Sequence, residues 1–303
     1  KRMRGGNKDK LLDAVQLDAR NMDQVPATLK NNRDFMLEAV KRNWEALEYA
    51  SDARKGDHDS VLDAVKMHWM GMYYASDRLK DNKQFVLEAV NLNRYVLEHA
   101  SDNLKMDSDV VTAAVTKDGV ALESAHPELQ GNSDIVMAAV TQDGNALCWA
   151  SDELKNNRKI VMAAVTQDGG ALCCASEALK DDHEIVLKAV KQDWWALADA
   201  SDRLKDDLVI VMAAVKQDGH ALRHASDMLK NGGLRNHINM LKNKYSVNKE
   251  DFFNFAAKFR YMPGFTGNQV MGEIGQYAGI QAGPIWDMIK AVDSNLRLFE
   301  NKD

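Results

Sequence analysis

Two histidines and three cysteines are the residues of this chain whose types and spacing come nearest to chemistry. His220 and His224 stand four apart, and Asp199 holds the place of His224 one 25-residue period earlier. On an α-helix that spacing puts both imidazoles on one face, where they could share a divalent ion with a carboxylate. The plainer reading is a pair of ordinary surface histidines, and no metal set is assigned. Cys173 and Cys174 adjoin, and Cys148 lies one period before Cys173. A vicinal disulfide is strained, so these are read as small packing residues of a helix. Three thiols form a poor disulfide framework and suit a reducing intracellular compartment. The chain opens on Lys1 rather than Met, so removal of a targeting segment would leave an organelle open. There is no phosphate-binding Gly-x-x-x-x-Gly-Lys loop, Gly-x-Ser-x-Gly elbow, His-Glu-x-x-His or Cys-x-x-Cys. The expectation is a chain that is not an enzyme and carries no cofactor.

The residues that differ between otherwise equal stretches are more informative. Just before an Ala kept in eight of the nine periods (Val25 stands in the first), successive periods hold Gln24, Tyr49, Tyr74, His99, Ser124, Trp149, Cys174, Asp199 and His224. A core position would keep one size class; this one changes size and polarity freely, so it faces outwards or lines a groove. Tyr49, Tyr74, His99, Trp149, Asp199 and His224 are the candidate partner-binding residues. Trp44, Trp69, Trp194 and Trp195 stand at a corner between helices, where aromatic rings more often fill gaps between repeats.

The elements that must carry this stripe follow from the period. Ala-Val recurs at Ala14, Ala39, Ala64, Ala89, Ala114, Ala139, Ala164, Ala189 and Ala214, which makes nine copies over residues 6–230 with no insertion. Each copy opens on Asn or Asp, an N-cap signal for a helix of about ten residues. Val136, Ala139 and Val140 then lie at helical spacing and form one buried stripe. The unvarying Ala implies close approach of a neighbouring helix. A second Asn or Asp follows in eight copies, with His68 the exception. It reads as the N-cap of a short second helix. Gly follows it at Gly119, Gly144, Gly169 and Gly219, but Trp44, Trp69, Arg94 and Trp194 occupy the same place. A left-handed glycine cap is therefore not required there, although a Gly end-cap to the first helix remains the rival reading in the four Gly copies. Ser-Asp-x-Leu-Lys closes the copy with a further turn, Ser capping it and Leu dropping onto the core. Pro127 suits the first position of such a turn, and Pro26 in place of Ser is a weaker match. One copy is too small to fold alone, so the fold class is all-α, an α-solenoid of nine 25-residue two-helix repeats.

The pattern Asp-x-x-Val-x-x-Ala-Val-x-x-Asp-Gly-x-Ala-Leu-x-x-Ala-Ser-x-x-Leu-Lys, clearest in Ser133–Lys155, Lys159–Lys180 and Val209–Lys230, resembles the repeats of the domain of unknown function 4116. The resemblance covers roughly three-quarters of the chain and implies a helical repeat array. It implies no catalytic residue.

The period stops at Asn231-Gly232-Gly233, a break signal. Residues 231–303 read as a C-terminal helical cap or docking region, with helices near 234–244, 249–260, 268–278 and 284–300. Nine Lys/Arg against seven Asp/Glu give this part +2, so of the total of −6 the repeats hold −8. That balance opposes phosphate binding, and no nucleic acid is expected. Gly272-Glu-Ile-Gly275 has the form of an RNA-clamping loop but lacks basic flanks. No stretch is long and apolar enough for a transmembrane helix. The expected function is a protein-interaction scaffold or structural subunit, binding protein through the variable face. The alternatives are a repeat-based nucleic-acid reader and an accessory region of a larger enzyme or effector.

Overall fold

The structure, a computed structural model, describes residues 5–233 and Asn236. Among them every regular element is a helix. Each repeat is an α-solenoid unit of three short pieces, shown here by the fifth: a ten-residue α-helix Ser108–Lys117, a six-residue 3-10 helix Gly119–Ser124 and a single α-turn Pro127–Gln130. The second helix thus exists as expected but is wound as 3-10. In the fourth repeat its buried residues are Val96 and Leu97, and it is bounded by the capping Asn93 before it and Ala100 after it. The chain leaves it at Ala100 in an extended conformation (φ −69°, ψ 163°), which ends the helix and starts the turn.

The Asx markers account for where the helices begin. Asn32, Asp57, Asn82, Asp107, Asn132, Asn157, Asp182 and Asp207 all cap long helices through their side-chain oxygens. Asn7 differs, because the first helix, Gly5–Leu17, already includes it. The second marker caps the 3-10 helix in all nine repeats, accepting from the N–H two residues on; His68 does so with Nδ1, 3.2 Å from Met70 N. In the four Gly copies that residue is also the end-cap of the long helix, in extended backbone, so the following Gly is not the cap. Gly119 provides room instead. A Cβ there would lie 2.3 Å from the carbonyl oxygen of Ala139, on the next repeat's long helix.

Burial follows the stripe. Ala39, Ala64, Ala89, Ala114, Ala139, Ala164, Ala189 and Ala214 are fully buried. Ala14, with no described repeat before it, is only half-buried, as expected if a neighbouring helix covers this position. The closing turns stack as a ladder. Ser76 N–H donates to Lys55 O (2.9 Å), Ser101 N–H to Lys80 O (2.9 Å), His126 N–H to Lys105 O (3.0 Å), and Ser201 N–H to Lys180 O (3.0 Å). A side-chain rung runs beside it where the preceding turn ends in Asn or Asp. Ser51 Oγ donates to Asn31 (2.8 Å), and Ser101, Ser201 and Ser226 donate to Asp81, Asp181 and Asp206. Arg33, Lys83 and Arg158, each first in its long helix, hold the cap and first-turn acids of the following repeat. Burial pushes the Asp107 carboxyl up, but hydrogen bonds from Lys83 and the Val110 N–H outweigh it and hold it low.

The chain divides into two compact units, Lys1–Leu154 and Lys155–Asp303. The first holds repeats 1–5 and most of the sixth, the second repeats 7–9. Asn231-Gly232-Gly233 does not stop the helix at once, since Leu229–Gly233 forms a π-helical turn. The helices expected from residue 234 onwards, and the cap they would make, lie outside the described residues. No described helix is long and apolar enough to cross a membrane.

Candidate functional site

The 3-10 helices of one unit stand side by side and present one face. Their Ala-Leu pairs, such as Ala46 and Leu47 or Val96 and Leu97, point into the core. The four remaining positions, two at the start and two at the end of the helix, form the outer face, except where a buried Gly stands first.

In the first unit that face is aromatic over repeats 2–4. Trp44, first in its 3-10 helix, stacks on His68 (centroids 4.6 Å apart, 16° between planes) and meets Tyr74 at 6.1 Å. Trp69 stacks on His99 (5.5 Å, 7°) and meets Tyr95 at 5.1 Å. His68 stacks on Trp69, and Tyr73 touches both Tyr74 and His99 edge-on. These contacts close a circuit through Trp44, His68, Trp69, His99, Tyr73 and Tyr74, with Tyr95 joined to it at Trp69. Each ring pair contributes about 0.5–1.5 kcal/mol beyond area burial. Tyr73 and Tyr95 keep 55% and 39% of their surface exposed, so the circuit is also a free surface.

The polar groups on the circuit are few. Tyr74 O–H donates to Glu48 Oε2 at 3.2 Å. Burial, then the adjacent Glu48 carboxylate, pushes the Tyr74 phenol up to about 12. His99 Nε2 is buried without a partner. That burial pulls the His99 imidazole below its ordinary value, with Glu98 opposing and Lys80 and Lys105 assisting. Lys80 Nζ donates to Tyr73 O (2.7 Å) and lies 5.6 Å from the centre of the Tyr73 ring.

A profile of the family described as domain of unknown function (DUF4116) matches residues 7–53, 57–105, 93–130, 107–155, 132–180, 157–205 and 182–230. The chain belongs to this family. Most of the family's matches span nearly two periods, for instance 107–155. That length fits a repeat whose apolar face is closed only by its neighbour. No curated protein and no solved structure matches the chain.

Of the candidate partner-binding residues, Tyr74 and His99 join the aromatic circuit. Tyr49 is half-buried on the same face, with Lys30 Nζ 6.0 Å from its ring centre. Trp149 is 39% exposed. In the second unit His224 meets Trp194 (6.3 Å) and Trp195 (4.7 Å, 72°), and burial pulls its imidazole down. Asp199 is half-buried, one repeat before it. The His220–His224 spacing loses its meaning in a 3-10 helix, where three residues make a turn and four do not return to one face. His220 Nδ1 instead lies 2.7 Å from Asp218 Oδ1. The Cys173 and Cys174 sulfurs are 3.3 Å apart, too far for an S–S bond; Cys174 and Cys148 are disulfide-bonded instead, so these two are not the free packing thiols expected from the sequence. Cys173 is exposed rather than packed, and burial of its sulfur pushes the thiol up.

Tyr73, Tyr95, His68 and the acids beside them were not among the candidates. A signal for the circuit does exist in the repeat alignment: Trp44–Tyr74, Trp69–His99 and Trp194–His224 are all pairs 30 residues apart. A tryptophan at the corner meets an aromatic ring at the next repeat's variable position.

Proposed function

We propose that this chain is an interaction scaffold that binds protein through the outer face of its 3-10 helices. The observation that carries this reading is the exposed part of the aromatic circuit, Tyr73 and Tyr95 above all. It lies at positions that differ from repeat to repeat, while the packing positions hold constant. Tyrosine and tryptophan surfaces of this kind contribute large contact area for little lost side-chain freedom. The 3-10 helices are anchored by caps at every repeat, so the face is already ordered before a partner arrives.

A photo-crosslinking residue placed at Tyr73 or Tyr95 checks this in native extract, with Thr116 on the outer side of a long helix as the control. Defined protein adducts should form from the two tyrosine positions and not from Thr116. Equal labelling from both sides, or none from either, would sink the reading.

A further inference from the structure

The chemistry of the partner can be taken one step further, on the footing that the 3-10 face is the binding face. In repeats 1–5 the residue before the variable position is Asp23, Glu48, Tyr73, Glu98 and Glu123, all exposed. Glu45 lies exposed on the same face. Among the described residues none of these five carboxylates forms an ion pair, and Glu48 has only the Tyr74 hydroxyl. The basic groups beside them are mostly engaged already. Arg20 is held by Asp18 (2.7 Å), Arg94 by Asp118 (3.0 Å) and Lys105 by Asp102 (4.0 Å), while Lys80 donates to Tyr73 O and Lys30 lies over Tyr49. Lys55 is the one cation here with no such contact among the described residues. The face therefore offers uncommitted negative charge interleaved with partly exposed tyrosine rings, Tyr73 and Tyr95, each of which already has one cation of the chain itself beside it. Arg94 shows the matching contact inside the protein itself: its guanidinium lies 4.5 Å from the Tyr95 ring centre while paired to a carboxylate.

We propose that repeats 2–4 bind a basic polypeptide segment, extended in polyproline-II form, that presents Arg or Lys at about every third residue. Each cation would lie on a tyrosine ring and pair with a neighbouring carboxylate, Glu48 and Glu98 on either side of Tyr73. The spacing follows from geometry. Packed helices lie roughly 8–10 Å apart. A polyproline-II chain turns once in three residues and advances about 9 Å in doing so. Successive cations on one side of such a chain thus meet successive repeats. Cation–π contact and carboxylate pairing reinforce one another at each step.

The test uses the full chain and fluorescein-labelled peptides, with binding followed by anisotropy at low and moderate salt. One peptide repeats Arg-Pro-Pro; a second has the same composition with its arginines contiguous; a third repeats Glu-Pro-Pro; an oligouridylate of similar length is the fourth probe. The spaced basic peptide should bind roughly tenfold tighter than the clustered one, and the acidic peptide not at all. Glu48→Gln with Glu98→Gln should weaken it about tenfold and flatten the salt dependence. Tyr73→Ala with Tyr95→Ala should weaken it by a similar factor and leave the salt dependence in place. Lys188→Ala, outside this face, should change nothing. All of these side chains are exposed or half-buried, and circular dichroism confirms that each variant is folded. Failure of the spaced peptide to bind, equal binding of the clustered peptide, or tighter binding of the oligouridylate would each overturn the proposal. Should Tyr73 still crosslink native proteins in that event, the interaction face stands and only its preference for basic segments falls.

Discussion

At the scale of single residues, two positions show how much one atom matters in a repeated fold. In the side-chain rung, a closing-turn serine donates to an Asn or Asp at the end of the preceding turn. Gly56 occupies that acceptor position for Ser76, and Ser76 Oγ is buried with no partner. Gly56 has φ −98° and ψ 4°, close to Asp81 (φ −100°, ψ 5°) in the next turn, so a side chain fits the backbone. A Cβ at Gly56 would come 3.3 Å from Ser76 Oγ, a hydroxyl that can rotate. Gly56→Asn should therefore stabilise the protein by about 1–2 kcal/mol, from a new hydrogen bond and a less flexible unfolded chain. An unchanged or lower denaturant midpoint would refute this. His99 acts through its proton. Burial, more than Lys80 and Lys105, holds its folded-state pKa below the ordinary 6.5. Above about 6.5 neither folded nor unfolded histidine is charged and the full stability is present. As the pH falls below that value the unfolded chain takes up the proton first, so stability is lost until the folded pKa is passed. The melting temperature should fall as the pH is lowered through about 6.5, and fall less in His99→Phe, which keeps a ring against Trp69 and Tyr73. Parallel pH profiles for the two proteins would contradict the assignment.

At the scale of elements, the caps were legible and the winding was not. Eight first markers and nine second markers sit where a short acceptor before an apolar run says they should. The first helix departs because its Asn7 lies within a helix that starts at Gly5. The 3-10 winding was not legible, because a three-residue step between Leu and Ala fits an α-helix as well, and an i,i+4 argument such as that for His220 and His224 fails on it. The aromatic circuit was half visible. Its variable members Tyr74 and His99 stood out by contrast between copies. Tyr73 and Tyr95 did not, because their exposure depends on how neighbouring 3-10 helices lie side by side. The glycines test the distinction between conformation and space. Gly119 faces the Ala139 carbonyl, a backbone atom that cannot yield, so Gly119→Ala should cost about 1–3 kcal/mol. At Gly131 the nearest atom to a new Cβ is 3.4 Å away and φ is −93°, so Gly131→Ala should be stabilising by about 0.4–1 kcal/mol. Urea unfolding of the two variants reads both signs. Equal effects would mean that the close approach at Gly119 is not what selects glycine.

At the scale of the molecule, each described contact between repeats joins a residue to its counterpart about one period away. Ser101 reaches back to Lys80 and Asp81, Lys83 forward to Asp107 and Asp109, and Trp69 forward to His99. No contact of this kind needs a partner two repeats distant, so stability is a sum of repeat and nearest-neighbour terms. The array should then tolerate loss of a whole period far better than loss of part of one. Deleting residues 107–131 joins Met106 to Asn132. The new neighbours restore an Asn cap at the start of a long helix and bring Ser151, in place of His126, against Lys105. The junction keeps the aromatic circuit of repeats 2–4 untouched, because its last member is His99. The expected product is helical to the same degree per residue, unfolds cooperatively at a modestly lower midpoint, and binds the spaced basic peptide with little change. Deleting only residues 107–118 removes fewer atoms but takes away the long helix and both caps of repeat 5, so repeats 4 and 6 each face a fragment that cannot cover them. It should lower the midpoint more than the full-period deletion and split the unfolding into separate transitions on the two sides of the junction. If the two deletions are equally harmful, nearest-neighbour stacking is not what holds this chain together.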